Sequence, residues 1–229
     1  MASRGPLRAG NPMGNDRGEG GMKVTSVGLP EIRACDLGAA TVVVDYGTGA
    51  VRVLSPEAGR QSAVDGPPAV SGHRWEASWG VQELPMGFSE FPRVPGPYRW
   101  AAAAALLLVL GVSWGGRRRF RMGRMLRLME AVSRLHRRAA DIHQAEKAVH
   151  AVRALGLFSP VRVACLEESV AAVLALAIRG RGVRWCHGVI ADPIRLHAWI
   201  EVEGRPVEEP DSTRRCTALL TIPSMEEST

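Results

Sequence analysis

The chain has 229 residues, 46% apolar and 23% charged, enough for one sizeable core and too apolar for wholesale disorder. Its net charge of +6 and isoelectric point of 9.8 point to an acidic partner, a membrane surface or nucleic acid. With no zinc-finger, recognition-helix or aromatic RNA-binding pattern beside the charge, nucleic acid is set aside.

Residues 1–21 are rich in Gly, Arg and Asn and cannot repay the entropy of ordering, so they read as a disordered tail. Met22 opens a sequence with structured character. Residues 22–65 read as a β-hairpin segment. Ala40–Asp45 is a β-branched run, Tyr46-Gly47-Thr48-Gly49 a turn, and Ala50–Leu54 the returning strand. Ser55-Pro56 has the form of a helix cap followed by a first-turn proline. Residues 66–97 read as a linker punctuated by Pro67, Pro68, Pro85, Pro92, Pro95 and Pro97, and residues 98–229 as the main domain.

Trp100–Val112 is an unbroken apolar run followed by Arg117-Arg118-Arg119. It is shorter than the roughly 20 residues of a usual spanning helix. It reads as a buried helix packed on the domain that follows, with an interfacial anchor as the alternative. From Phe120 onward Met122, Met125, Leu126, Met129, Val132 and Leu135 recur at helical spacing, and a second helical stretch, Ala140–Leu155, stops at Gly156. The arginines from Arg117 to Arg138 read as a solvated face or a landing surface for an acidic peptide. His136, His143 and His150, seven apart, read as a solvated stripe.

Within residues 159–180, Leu166, Val170, Val173, Leu174 and Ala177 lie on one helical face, with Glu167 and Glu168 in the first turn. Cys165 falls at or near the start of this helix. Unpaired N–H groups and the positive end of the dipole lower a thiol pKa there and can receive an oxyanion. The two glutamates oppose that, so the thiol needs an imidazolium partner. By itself a cysteine there reads first as a buried structural residue. Gly180-Arg181-Gly182 ends the helix. Val183–Ile190 reads as a strand, Asp192-Pro193 as a turn, Leu196–Val202 as an alternating strand, and Glu203-Gly204 as a hairpin turn before Arg205–Pro210 returns. Adjacent Cys186 and His187 point to opposite faces of a strand, and the four cysteines Cys35, Cys165, Cys186 and Cys216 form no Cys-x-x-Cys pair. No metal site and no cofactor is expected. With no apolar stretch behind a basic start, free thiols in a reducing cytoplasm are expected.

Three words stand in order: Cys165-Leu166-Glu167-Glu168-Ser169, Gly188-Val189 at the end of a strand, and His197-Ala198-Trp199-Ile200-Glu201-Val202-Glu203-Gly204-Arg205-Pro206-Val207, with His197 32 residues after Cys165. They resemble the Cys–His–acid enzymes of the papain-like and transglutaminase-like superfamily, and most of all the leader peptidases of lasso-peptide biosynthesis. The resemblance implies an α+β fold, a transglutaminase-like (papain-like) cysteine peptidase core with preceding helices and an N-terminal β-hairpin extension. It implies Cys165 as nucleophile, His197 as the base and acid beside it, Trp199 as packing next to the histidine, and an acid on the return strand. The family usually has Asp there; Glu209 stands at the matching distance and ranks first, before Asp211 and Glu208. Parity leaves the choice open, because a two-residue Glu203-Gly204 turn puts Glu208 on the His197 face and a three-residue loop puts Glu209 there.

The same resemblance implies removal of the leader from a ribosomally made lasso precursor, with a separate PqqD-like leader-binding protein and an asparagine-synthetase-like cyclase as partners. The hairpin and its Ser-Pro helix start also resemble the opening of a PqqD-like domain. An acyltransferase or deamidase with the same residues, and a non-catalytic scaffold associated with a membrane surface, remain as alternatives.

Overall fold

A computed structural model describes residues 32–65, 69–73, 93–134, 138–191 and 193–223. The expected tail, Met22, most of the linker, His136 and Asp192 lie outside these.

The N-terminal part is a four-stranded sheet: β1 (Ile32–Asp36), β2 (Thr41–Asp45), β3 (Ala50–Leu54) and β4 (Ala69–Ser71), in the order β3-β2-β1-β4. The β2–β3 hairpin forms around the turn read from sequence, Asp45 pairing with Ala50 and Thr41 with Leu54. The Asp45 carboxylate holds its turn, accepting from the Gly47 and Thr48 amides at 2.8 and 3.1 Å and from the Thr48 hydroxyl at 2.6 Å. Helix α1 (Pro56–Asp65) follows with the Ser55 hydroxyl accepting from the Ala58 amide. Two features depart from the sequence reading. Residues 69–71, taken as linker, form β4 and pair parallel with β1. The hairpin is also no loose extension: Cys35, Leu37, Val42, Val44 and Tyr46 share one buried cluster with the helices of the main domain.

Four helices carry the main domain: α2 (Gly96–Trp114), α3 (Arg121–Ser133), α4 (Ile142–Gly156) and α5 (Cys165–Ile178). Helix α5 is central. Val170–Leu176 are buried on every side, as expected of a helix apolar all round, and it packs against α2, α4 and the second sheet. Asp141 caps α4 by accepting from the Gln144 amide at 2.9 Å, and the Gln144 side chain answers the Asp141 amide at 3.4 Å. The arginine face is not wholly solvated. Arg124 closes the end of α2, donating to the carbonyls of Val112, Ser113 and Arg117 at 3.0, 3.3 and 3.1 Å, and Arg121 pairs with buried Glu167.

The short strands β5 (Arg138–Ala139) and β6 (Arg181–Gly182) pair parallel beside this helical layer. The second sheet is antiparallel: β7 (Arg184–Ala191), β8 (Ile194–Val202), β9 (Arg205–Pro206) and β10 (Thr217–Ile222), in the order β10-β7-β8-β9. Strand β10 lies in a stretch to which the sequence assigned no element. The architecture is the expected α+β one. Gly188-Val189 sits in the middle of β7, not at its end, because β7 runs on to pair Ala191 with Ile194. The two sheets touch through the His73 amide, which donates to Thr217 Oγ1 at 3.0 Å, and through Tyr46, whose hydroxyl meets His187 Nδ1 at 2.8 Å.

Candidate active site

Cys165 is the first residue of α5. The residue before it, Ala164, has extended backbone and no side chain able to cap; Glu167 reaches back instead and accepts from the Ala164 amide at 3.3 Å. No side-chain cap takes up the first turn, and its Leu166 amide bonds the sulfur. Burial pushes the Cys165 thiol up, but hydrogen bonds from His197 and from the Ala198 amide, the charge on His197 and the Leu166 amide outweigh it, and the net shift is downward.

The two first-turn glutamates do not face the thiol as the sequence reading had them. Glu167 is turned inward, 1% exposed, and paired with Arg121 of α3. Glu168 is paired with Arg153 of α4. Each negative charge is met by an arginine before it can act on the sulfur.

His197 stands on β8, opposite Gly188 of β7. Its Nε2 lies 2.7 Å from Glu209 Oε2, which leaves Nδ1 for the thiol. Burial disfavours the imidazolium, yet the bonds to Cys165 and Glu209 and their charges raise His197 to about 9. At neutral pH His197 is therefore imidazolium, and its charge biases the neighbouring thiol toward thiolate. Trp199, two residues on and on the same face, stacks on the imidazole with centroids 5.8 Å apart, and its indole N–H is fixed by Glu201 at 2.9 Å.

Gly188 explains itself here. A Cβ at this position would meet the Thr217 carbonyl oxygen at 2.3 Å and the Trp199 ring at 3.0 Å, so only glycine lets β10 and the tryptophan close over the histidine's partner strand. Ser169 has a similar supporting role, since its hydroxyl accepts from the Trp185 indole at 2.9 Å and ties α5 to β7.

The choice among the three acids turns on one dihedral. The β8–β9 turn is the two-residue one: Val202 pairs with Arg205, and Glu203 and Gly204 have φ of 51° and 75°. Parity then puts Glu208 on the His197 face, but the strand does not continue that far. Glu208 adopts a left-handed φ of 53°, which reverses the alternation. Glu208 turns to His150 of α4 at 3.0 Å, and Glu209 takes the face toward His197. Asp211 points to solvent, 96% exposed, with Arg214 near it at 3.8 Å. The structure thus brings Cys165, His197 and Glu209 together and leaves Glu208 and Asp211 outside. His150, expected on a solvated stripe, is instead engaged by Glu208, whereas His143 is exposed beside Glu146.

Arg153, to which the sequence reading assigned no part, organises this corner. One guanidinium contacts Glu168, donates to the Glu208 carbonyl at 2.6 Å and donates to Glu209 Oε1 at 3.1 Å. The Thr213 hydroxyl adds a bond to Glu209 Oε2 at 3.3 Å. Two carboxylates beside one thiol call for a cation, which is the signal that was available; which of the many arginines supplies it is a matter of packing. A cleft of about 120 Å³ beside the sulfur is lined by Arg153, Glu168, His197 and Glu209 and by apolar Val149 and Val207.

The other thiols and the second histidine are spent elsewhere. Cys186 packs with Ile190, Trp199 and Cys216. Burial pushes the thiols of Cys35 and Cys216 up to about 11 and about 12, and Cys186 above its ordinary range. His187 is buried against Tyr46 and Trp185 and held down to about 4, first by burial and then by the charge on His197. Among the described residues no three His, Cys, Asp or Glu side chains gather as a metal site.

The family model described as the transglutaminase-like superfamily matches residues 106–221, a span that includes Cys165, His197 and Glu209. No curated protein and no solved structure matches the chain.

Proposed function

Since the chain belongs to the transglutaminase-like superfamily, whose members are in general cysteine-based enzymes, we propose that it is a cysteine peptidase that frees the core of a ribosomally made lasso precursor from its leader. The observation that carries the reading is the contact chain from Cys165 through His197 to Glu209. The Cys165 thiolate attacks the scissile carbonyl, and the oxyanion is received at the exposed N–H groups that open α5. The His197 imidazolium gives its proton to the leaving amine as the C–N bond breaks, leaving a thioester. His197, now neutral, takes a proton from water; hydroxide attacks the thioester, and the acid product leaves with thiolate and imidazolium restored. Glu209 holds the ring and its charge throughout. The partners in this reading are the precursor peptide, a separate PqqD-like leader-binding protein and an asparagine-synthetase-like cyclase that closes the ring afterwards. Four free cysteines fit a cytoplasmic setting.

The test is mass spectrometry of the precursor incubated with the protein and its leader-binding partner in ¹⁸O-labelled water. Expected is release of the leader with one labelled oxygen at its new carboxylate, lost in Cys165→Ala and in His197→Ala. An amine adduct in place of the labelled acid assigns the thioester to acyl transfer instead, and cleavage at the wild-type rate by His197→Ala refutes the mechanism.

A further inference from the structure

Helix α2 is apolar on both faces, and only one face is covered. Tyr98, Ala101, Ala102, Ala105, Leu106 and Val109 are buried against α4 and α5. The opposite face presents Trp100, Ala104, Leu107, Leu108, Gly111 and Trp114 to solvent. At 100° per residue these six fall in a sector of about 120°, a continuous stripe along the helix. Trp100 is 81% exposed, Leu107 73% and Trp114 65%. No polar side chain interrupts the stripe. Ile178 at the end of α5, also exposed, widens it beside Trp100 and Ala104.

Along the chain, the described residues on either side of this stripe carry one sign of charge. Between Glu90 and Glu130 the chain has eight arginines and no acidic residue. Arg117, Arg118 and Arg119 are exposed just beyond Trp114, and Arg93 and Arg99 lie at the other end. The Arg179 guanidinium sits over the Tyr98 ring at 4.0 Å, beside Ile178. A tryptophan at each end of an apolar helical face, with arginines past both, is the pattern of a helix lying in a headgroup layer.

We propose that the outward face of α2, from Trp100 to Trp114, docks the protein on an anionic lipid bilayer with the helix lying flat in the interface. By length and composition α2 could also cross a membrane. Crossing would strip Ala102, Ala105 and Val109 from the core and break the Arg124 cap at its end. Lying flat costs neither. Cys165 is at the other end of α5 from Ile178, roughly 20 Å along the helix, so the cleft stays open to water.

The experiment is flotation of the full chain with vesicles of pure phosphatidylcholine and of phosphatidylcholine with a third phosphatidylglycerol, together with quenching of tryptophan fluorescence by brominated lipid. Expected is partition onto the anionic vesicles that weakens with salt. Leu107→Glu should lower it about tenfold or more. Exchanging Arg117, Arg118 and Arg119 for Gln should lower it about a hundredfold on anionic vesicles and little on neutral ones. Replacing Trp100 and Trp114 by Ser should remove most of the quenching. Melting temperature and the iodoacetamide reactivity of Cys165 serve as folding controls, and none of these readouts depends on the peptidase reading. If Leu107→Glu fails the controls, the arginine and tryptophan variants, all at exposed positions, decide alone. Absence of wild-type partition at millimolar lipid overturns the proposal, as does partition unchanged in the variants. A dimer that Leu107→Glu disperses, without vesicle binding, assigns the face to a second copy and overturns it equally.

Discussion

Exchanging Glu209 for Gln keeps the shape of the side chain and removes its charge. The wild-type imidazolium is stabilised by a shift from 6.5 to about 9, about 3 kcal/mol at 1.36 kcal/mol per unit. Two partners supply this, the Cys165 thiolate and the Glu209 carboxylate, each by a hydrogen bond and by charge. Burial opposes them, so an even division assigns Glu209 at least half of the net, on the order of 2 kcal/mol and tenfold or more in the population of the ion pair. The carboxamide can still accept from Arg153, but its amino group then faces the protonated Nε2 of His197, donor against donor. Two effects follow. Alkylation of Cys165 by iodoacetamide near pH 7 should fall about tenfold. Precursor cleavage should fall further, on the order of 10²-fold, because the ring also loses the group that orients it. The sign with pH is fixed by the raised histidine. The wild-type imidazolium persists above 6.5 and is lost as pH rises through about 9, so the alkaline limb of the cleavage profile sits near there and moves to lower pH in the variant. Arg153→Gln, which removes one of the groups holding Glu209, should lower cleavage less than Glu209→Gln does. Glu209→Asp keeps the charge but is one methylene too short to reach both Arg153 and His197, and should fall between wild type and Gln. Glu208→Gln and Asp211→Ala should cleave near the wild-type rate. A wild-type alkaline limb in Glu209→Gln, or a loss in Asp211→Ala as large as in Glu209→Gln, refutes the assignment.

Peptide mapping after brief iodoacetamide treatment near neutral pH should find Cys165 modified well ahead of Cys35, Cys186 and Cys216, whose thiols burial pushes up; Cys165 as the slowest of the four would contradict the lowered thiol. Gly188→Ala should destabilise by about 2–3 kcal/mol in a denaturant titration, since its methyl collides with the Thr217 carbonyl and the Trp199 ring; an unchanged midpoint would show that β10 yields freely. His187, held near 4 against 6.5 when unfolded, binds its proton more readily in the unfolded chain, so stability is full above 6.5 and falls as pH drops toward 4. The loss from this group is at most about 3 kcal/mol, and His187→Gln should flatten that part of the pH–stability curve; an equally steep curve in the variant would place the acid sensitivity elsewhere.

Local signals in the chain carry much of this molecule. The β-branched run before Tyr46, Ser55 ahead of Pro56, the alternation of Leu196–Val202 and the Glu203-Gly204 turn each state a short-range backbone preference, and each element forms where that preference lies. Cys165 at a helix start and His197 on a neighbouring strand were legible for the same reason, since helix starts and strand parity are set within a few residues. What tertiary structure decided are the things that depend on neighbours distant in the chain. With the two-residue turn that forms, parity assigns Glu208 to the His197 face, and it fails because Arg153, 55 residues earlier, draws the Glu208 carbonyl to itself while the backbone there turns left-handed. The two acids beside Cys165 look like an electrostatic burden until α3 and α4 deliver Arg121 and Arg153 to them. The run from Trp100 to Trp114 reads the same all round in sequence, because both of its faces are apolar; which one is buried follows only from where α4 and α5 pack. Composition and periodicity report what a segment prefers, whereas the partner of a charge and the covered side of a helix are properties of the assembled fold.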